Sequence, residues 1–355
     1  MTGHRLRATE VVTVDPQQPD PAVIARAAAI LRAGGLVAFP TETVYGLGAD
    51  ATSEAAVRSI FTAKERAEDD PLIVHIASAD ELDRVAGAVP GLASFLAGRF
   101  WPGPLTIVLE RHPSVAPAVS AGLDTVAVRV PSHPIAQALL MAAGIPIAAP
   151  SANRFMRTSA TTAGHVIEDL GGRIDLVLDG GPATAGIEST VVAVEGSEVR
   201  VLRHGAITAE ELEEALRDGG QGTLAVGPGD GPERRSPGMM ARHYAPRARL
   251  IYVTGAPGRT LPAMLRAIGE SLAAGERVGA FICSEDLPLL PPEVIAEDAG
   301  PRDEPATVAA RVFRALRALD ARGAQVIVVC QFAEAGLGRA LHDRLTRAAY
   351  AIVEC

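Results

Sequence analysis

The chain has no run of about 18 uncharged apolar residues, so no membrane-spanning helix is expected. Its first residues, MTGHRLRATE, lack the apolar core of a secretory signal, and a cytoplasmic protein is expected. Cysteine is scarce. Cys283, Cys330 and Cys355 show neither CxxC spacing nor histidine partners at metal-site spacing, which leaves plain thiols in a reducing compartment. Positive charge is also short: the formal net charge is −9, and aromatic residues make up 4% of the chain. A protein built mainly to grip nucleic acid would be basic, so any basic site must be local. GxxxxGK(S/T), HExxH and a His/Cys cluster are missing, and no Ser/His/Asp order suggests a triad. These absences argue against a P-loop enzyme, a zinc hydrolase and a serine hydrolase.

What is present suits a large globular protein. The 355 residues are comfortable for two domains, and 48% hydrophobic with 21% charged residues can bury a substantial core. Ile24, Ala27, Ala28 and Leu31 recur at helical spacing before Gly34-Gly35, and LVAF from Leu36 reads as a buried strand. Ser53 caps a predicted helix running to about Lys64. LIVHI, LTIVL, TVAVRV, IPIAA and DLVL follow as strand candidates. STVVAV and VRVL flank Glu195-Gly196-Ser197 as a hairpin. Thr208 and Glu211 form a capping box on a helix that Gly219 closes.

Helices between parallel and antiparallel strands predict an α/β fold with a mixed sheet over residues 20–217. Residues 218–246 have linker composition, including GGQG, GPGDGP and SPG. Over 247–355 the pattern alternates: strands at RLIYVTG, Arg277 to Cys283 and VIVVC, with helices at Leu261 to Ala274, Ala306 to Ala321 and Gly338 to Ile352. That predicts a smaller, parallel, Rossmann-like sheet.

Chemistry-bearing residues collect at strand ends. PTETVYGLG (Pro40 to Gly48) follows a strand and clusters Thr41, Thr43 and Tyr45, as a substrate loop would. Lys64 and Arg66 lie two residues apart ahead of the strand containing His75. They suit a polyphosphate, or equally a solvated charge run with Glu65, Glu68, Asp69 and Asp70. Arg129 inside TVAVRV must be paired or face a cleft. PSAN (Pro150 to Asn153) and GIEST (Gly186 to Thr190) place small polar groups at strand ends, and Arg203 ends VRVL. Such a site binds and positions, with no evident covalent nucleophile.

Taken in order, PTETVYGLG, Lys64-x-Arg66 with PLIVH, FWPGPLT, TVAVRVPSHP, PSAN, GIESTVV, LRHGAIT and SPGMMARHYAP resemble the YrdC family in its longer, two-domain, threonylcarbamoyl-AMP-forming branch. The resemblance implies a twisted mixed sheet with a large concave cavity, plus the smaller C-terminal domain. It implies synthesis of threonylcarbamoyl-adenylate and pyrophosphate from L-threonine, bicarbonate and ATP with Mg²⁺, for tRNA modification beside the anticodon by downstream proteins. Direct tRNA binding is not expected to be strong. By matching positions, Thr43, His75, Arg129, Ser151 and Ser189 would hold threonine. Arg66, Asp70, Thr125, Asn153, Thr161 and Arg203 would hold ATP, with Lys64 beside Arg66 at the reacting phosphates. His243 and Tyr244 would close over the nucleotide as part of a lid formed by Met239 to Pro246.

The chain departs from the usual pattern at Glu65, Ala67 and Asp70, which stand where Gly, Pro and Asn are common. Phe155 and Met156 replace a Ser-Gly, and His204 replaces a proline. Two rival readings follow: a paralogue that makes a carbamoyl-adenylate with another amine or acceptor, and a double-stranded RNA-binding protein. The charge of −9 opposes the second.

Overall fold

The structure, a computed structural model, describes residues 8–226, 242–256 and 258–355. The chain forms two compact units. The first takes in the sequence up to residue 226 except Met156–Ser159 and Ala185–Ile187. Those two short stretches group with the second unit, which otherwise runs from residue 242 to the C-terminus.

The first unit is built on an eleven-stranded mixed sheet. Across it the strands run Glu10–Thr13, Leu176–Asp179, Val37–Phe39, Gly46–Asp50, Ile147–Ala148, Ile73–His75, Thr125–Arg129, Leu105–Glu110, Thr190–Glu195, Glu198–Arg203 and Thr223–Val226. Sequence neighbours such as Val37–Phe39 and Gly46–Asp50 pair antiparallel, whereas Ile73–His75 and Thr125–Arg129 pair parallel. The central strands are buried on both faces. They accordingly read as unbroken apolar runs, not as alternating ones.

Local signals are realised at the element ends. Ser53 Oγ accepts the Ala56 N–H at the start of helix Glu54–Lys64. Thr208 and Glu211 exchange both bonds of a capping box on Ala209–Asp218. Gly196 turns the hairpin between Thr190–Glu195 and Glu198–Arg203 with φ +63°. Three strands of this unit were not read from the sequence. Gly46–Asp50 begins inside the segment read as the PTETVYGLG loop and pairs antiparallel with Val37–Phe39. Glu10–Thr13 pairs with Leu176–Asp179 at one edge of the sheet, and Thr223–Val226 pairs parallel with Glu198–Arg203 at the other.

The second unit is a five-stranded parallel sheet in the order Ile295–Asp298, Val278–Ile282, Val326–Cys330, Arg249–Thr254, Ala351–Glu354. Helices Thr260–Ala273, Pro305–Ala321 and Leu337–Ala348 connect the strands. The final helix stops at Ala348, not at Ile352, because residues 351–354 join the sheet beside Arg249–Thr254. Within this unit Arg317 is buried and donates to the carbonyls of Thr158 (2.5 Å) and Ser159 (3.4 Å), which fixes the Met156–Ser159 stretch. No helix among the described residues is long and apolar enough to cross a membrane.

Candidate active site

Strand pleating sets out the first unit's site. Thr125, Ala127 and Arg129 alternate along one strand and so share a sheet face. The register places Ile73 beside Ala127 and His75 beside Arg129 on that face. On the other side Val108 pairs with Ala127, so Thr106 falls opposite Arg129. Ile73, Val108, Ala127, Val191 and Ala193 pack as a small apolar floor between the polar ends. From Thr125 to Arg129 this floor extends roughly 13 Å, four residues at the rise of a strand.

At the Arg129 end the polar groups are buried and interlocked. Arg129 Nη1 donates to Thr43 Oγ1 (2.9 Å), Nε donates to the Gly103 carbonyl (3.2 Å), and Nη2 lies 2.7 Å from Glu42 Oε1. The arginine that had to be paired or face a cleft is therefore paired. Thr41 and Thr43 share a hydroxyl hydrogen bond of 2.8 Å. Burial pushes the Glu42 carboxyl up, but the Arg129 charge, the hydrogen bond to Arg129 and backbone hydrogen bonds from Glu42 and Ser132 together outweigh it and hold the group below the usual carboxylate range. His75 is deeply buried, and this desolvation, seconded by the Arg129 charge, pushes its imidazole down to about 3. It is neutral at pH 7, and its Nδ1 makes no hydrogen bond among the described residues. Thr106 and Ser189 join hydroxyls at 2.8 Å, and Arg203 donates to the Ser189 carbonyl (2.8 Å) and hydroxyl (3.1 Å).

At the other end Arg66 and Asp70 form a buried ion pair at 2.8 Å. Arg66 also donates to the carbonyls of Asp70 and Pro71, and the strand register puts Thr125 level with Pro71. Neither Asp70 oxygen has a hydrogen-bond partner beyond this ion pair among the described residues. The carboxylate that would repel a phosphate thus has its cation beside it.

Lys64, the chain's single lysine, is buried and donates to the carbonyls of Ser151 (2.5 Å) and Asn153. It ties the helix end to the PSAN turn, which a bridge between Gly46 and Ser151 ties in turn to the PTETVYGLG loop. Asn153 Nδ2 donates to the Arg154 carbonyl, and the Thr161 N–H donates to His165 Nδ1 (3.3 Å). His243 and Tyr244 are buried members of the second unit. Tyr244 stacks on Phe313 with centroids 5.7 Å apart, and the Arg344 guanidinium lies 5.0 Å from its ring. Residues 227–241, which include GPGDGP and the first part of the expected lid, lie outside the described residues.

The departures from the usual pattern have a backbone consequence. Glu65 caps its helix with φ +54° and Met156 has φ +65°, the left-handed region in which glycine is at ease. Each keeps the conformation that the customary glycine would adopt. Glu65 is held there by ion pairs to Arg154 and to Arg173, the latter at 2.8 Å. Gly205 is required by contact: a Cβ there would lie 2.4 Å from the Glu188 carbonyl oxygen.

Glu42 and Thr106 are site residues that sequence reasoning missed. The signal for Glu42 was available, since Arg129 in an apolar strand demanded an anion and PTETVYGLG contains only one.

Comparison with known proteins gives these features a setting. Residues 29–205 match the Sua5/YciO/YrdC family model, described as "Telomere recombination", and residues 207–350 match the model described as "Threonylcarbamoyl-AMP synthase, C-terminal domain". A threonylcarbamoyl-AMP synthase of Bacillus subtilis is 43% identical over 344 residues, 96% of this chain and 95% of that protein. The crystal structure of P. abyssi Sua5 complexed with L-threonine superposes with a TM-score of 0.88 at 40% identity, covering 98% of this chain and all of that one. A variant of the same P. abyssi protein, with a His–Tyr pair changed to alanine, gives 0.89 at 38% identity, covering 98% of each chain. With both family models matched in order and relatives aligned over nearly their whole length, the chain belongs to the two-domain Sua5/YrdC family of threonylcarbamoyl-AMP synthases.

Proposed function

We propose that this chain converts L-threonine, bicarbonate and ATP into L-threonylcarbamoyl-AMP and pyrophosphate, the activated group passing through downstream proteins to adenosine beside a tRNA anticodon. The observation that carries the reading is the sheet face with buried polar groups at both ends of an apolar floor. Arg129, Thr43 and neutral His75 stand at one end, Arg66 and Asp70 at the other.

The chemistry asks for such a layout. Threonine's amine condenses with bicarbonate to a carbamate and water. A carbamate oxygen then attacks the α-phosphorus of ATP, the bond to the β-phosphate breaks, and pyrophosphate leaves. The carbamate hydrolyses readily, so a desolvated pocket protects it. In-line attack needs the two substrates held at fixed separation, with cations at the phosphates.

Arg129, Thr43, His75, Ser151 and Ser189 are assigned to threonine. The Arg129 guanidinium suits its carboxylate, and hydroxyls with an uncharged imidazole suit its side chain without adding competing charge. Arg66, Asp70, Thr125, Asn153, Thr161 and Arg203 are assigned to ATP, with Lys64 setting the PSAN turn. His243 and Tyr244 are assigned to closing over the nucleotide. Mg²⁺ would arrive with the nucleotide, whose oxygens supply most of its ligands. Asp70, whose oxygens have no partner among the described residues beyond the Arg66 ion pair, is the carboxylate that fits the metal at that end.

Pyrophosphate release and mass spectrometry of the products test the reading. Release is expected to require bicarbonate and to be fastest with L-threonine, and the product is expected at the mass of threonylcarbamoyl-AMP. Release that is no faster with threonine than with serine, valine or alanine would remove the assigned substrate. ATP-independent, salt-sensitive binding of double-stranded RNA in place of turnover would favour the binding-protein alternative.

A further inference from the structure

The second unit contains a cavity of about 750 Å³ that the reaction above does not use. Topology puts it there. Strand Arg249–Thr254 passes the chain through helix Thr260–Ala273 to Val278–Ile282, in one direction across the sheet. Its neighbour Val326–Cys330 passes the chain through helix Leu337–Ala348 to Ala351–Glu354, in the other. Right-handed crossovers send those two helices to opposite faces. The carboxyl ends of the two adjacent strands then part around a crevice, the switch point at which open parallel sheets bind ligands. The cavity is lined from both loops, by Gly258, Thr260 and Leu261 after the first strand and by Phe332 and Glu334 after the second. Arg302 completes it from a third loop.

We propose that this crevice binds a nucleoside 5′-phosphate. Thr260 lines the cavity and is 9% exposed, and its hydroxyl makes no hydrogen bond among the described residues. Helix Thr260–Ala273 begins here without a side-chain cap, so its positive end faces an anion in the crevice, whereas at the start of Leu337–Ala348 the Gly338 and Arg339 N–H groups already donate to the Ala335 and Gly336 carbonyls. The Arg302 guanidinium is steadied by Asp286 while its side chain remains 47% exposed, which leaves N–H donors for a phosphate. Leu261 and Phe332 give a base an apolar wall, and the Glu334 carboxylate can accept from ribose hydroxyls. The volume is within the range of small-molecule pockets, roughly 300–1,000 Å³, and exceeds what a bare phosphate needs.

Hydrogen exchange on the full chain tests this, with AMP and inorganic phosphate as separate probes. AMP is expected to slow exchange across residues 259–264 and 333–338. Thr260→Val and Arg302→Gln are each expected to raise the half-saturating AMP concentration there at least tenfold, because each loses a charge-assisted hydrogen bond. The same variants should leave pyrophosphate release unchanged, so failure here is separate from failure of the proposed reaction. No protection of these segments at millimolar AMP overturns the proposal, as does protection indifferent to both substitutions. Equal protection by phosphate alone overturns the nucleoside part and with it the ligand class. Should Thr260→Val fail to fold, Arg302→Gln decides, since that side chain is half exposed.

Discussion

Replacing Arg129 with methionine separates the structural worth of the buried pair from its use. Arg129 is 3% exposed, and the Glu42 side chain 2.7 Å away is 13% exposed, so the substitution strands a carboxylate in a desolvated site. Breaking a buried pair by removing one partner costs about 3–5 kcal/mol, whereas replacing both partners by apolar groups is often neutral. Arg129→Met should therefore destabilise the first unit by about that amount, and Arg129→Met/Glu42→Leu should recover most of it. Threonine-dependent pyrophosphate release should be lost in both.

Trp101, the sole tryptophan, belongs to the first unit and donates from its indole to the Leu105 carbonyl (2.7 Å), so its fluorescence reports that unit's unfolding in urea. With an m-value of about 2 kcal/mol/M, the single variant's midpoint should fall by about 1.5–2.5 M. A fall of less than about 0.25 M, the size expected of a surface change of 0.5 kcal/mol, would refute the reasoning, as would a double variant no more stable than the single one.

Stability of the same unit should fall as pH drops below about 6.5. The folded His75 imidazole is depressed to about 3, so the unfolded chain binds the proton first and stability is lost across that window. The slope is at most about 1.4 kcal/mol per pH unit, His133 adds to it in the same direction, and His75→Gln should flatten it in urea titrations between pH 7 and 5.5. Glu42, depressed by Arg129, contributes stability above its unfolded pKa that is lost only as pH falls further, below about 4.5.

Arg66→Ala and Arg203→Ala should each lower turnover at least tenfold, as loss of a charge-assisted phosphate contact predicts. Both side chains are buried and donate to backbone carbonyls, so folding stability should fall as well. Arg66→Ala should lower the urea midpoint, and Asp70→Asn added to it should restore the midpoint but not the turnover. Glu65→Gly should raise stability by about 1 kcal/mol by relieving a left-handed residue, offset only slightly by the loss of exposed ion pairs; an unchanged or lower midpoint would contradict this.

The sequence by itself determined whatever depends on a few adjacent residues. The Ser53 cap and the Thr208–Glu211 capping box follow from side chains bonding backbone three positions away, the Gly196 hairpin from a glycine free to take positive φ, and each stands where its motif lies. The alternation over 247–355 likewise fixed a parallel sheet, because parallel strands need crossover helices. It did not reveal Ala351–Glu354, a four-residue exposed edge strand with no periodic pattern to separate it from the end of a helix.

Tertiary structure alone decided what long-range register controls. Thr106 meets Ser189 only because Leu105–Glu110 and Thr190–Glu195, far apart in the chain, pair in the sheet. Arg129 meets Glu42 only because the fold brings the loop between Val37–Phe39 and Gly46–Asp50 to the end of Thr125–Arg129, across two intervening strands. Burial then sets the charge states. The same histidine and carboxylate that would titrate ordinarily in water become a neutral imidazole and a fixed anion once the fold removes solvent and brings the Arg129 charge to both.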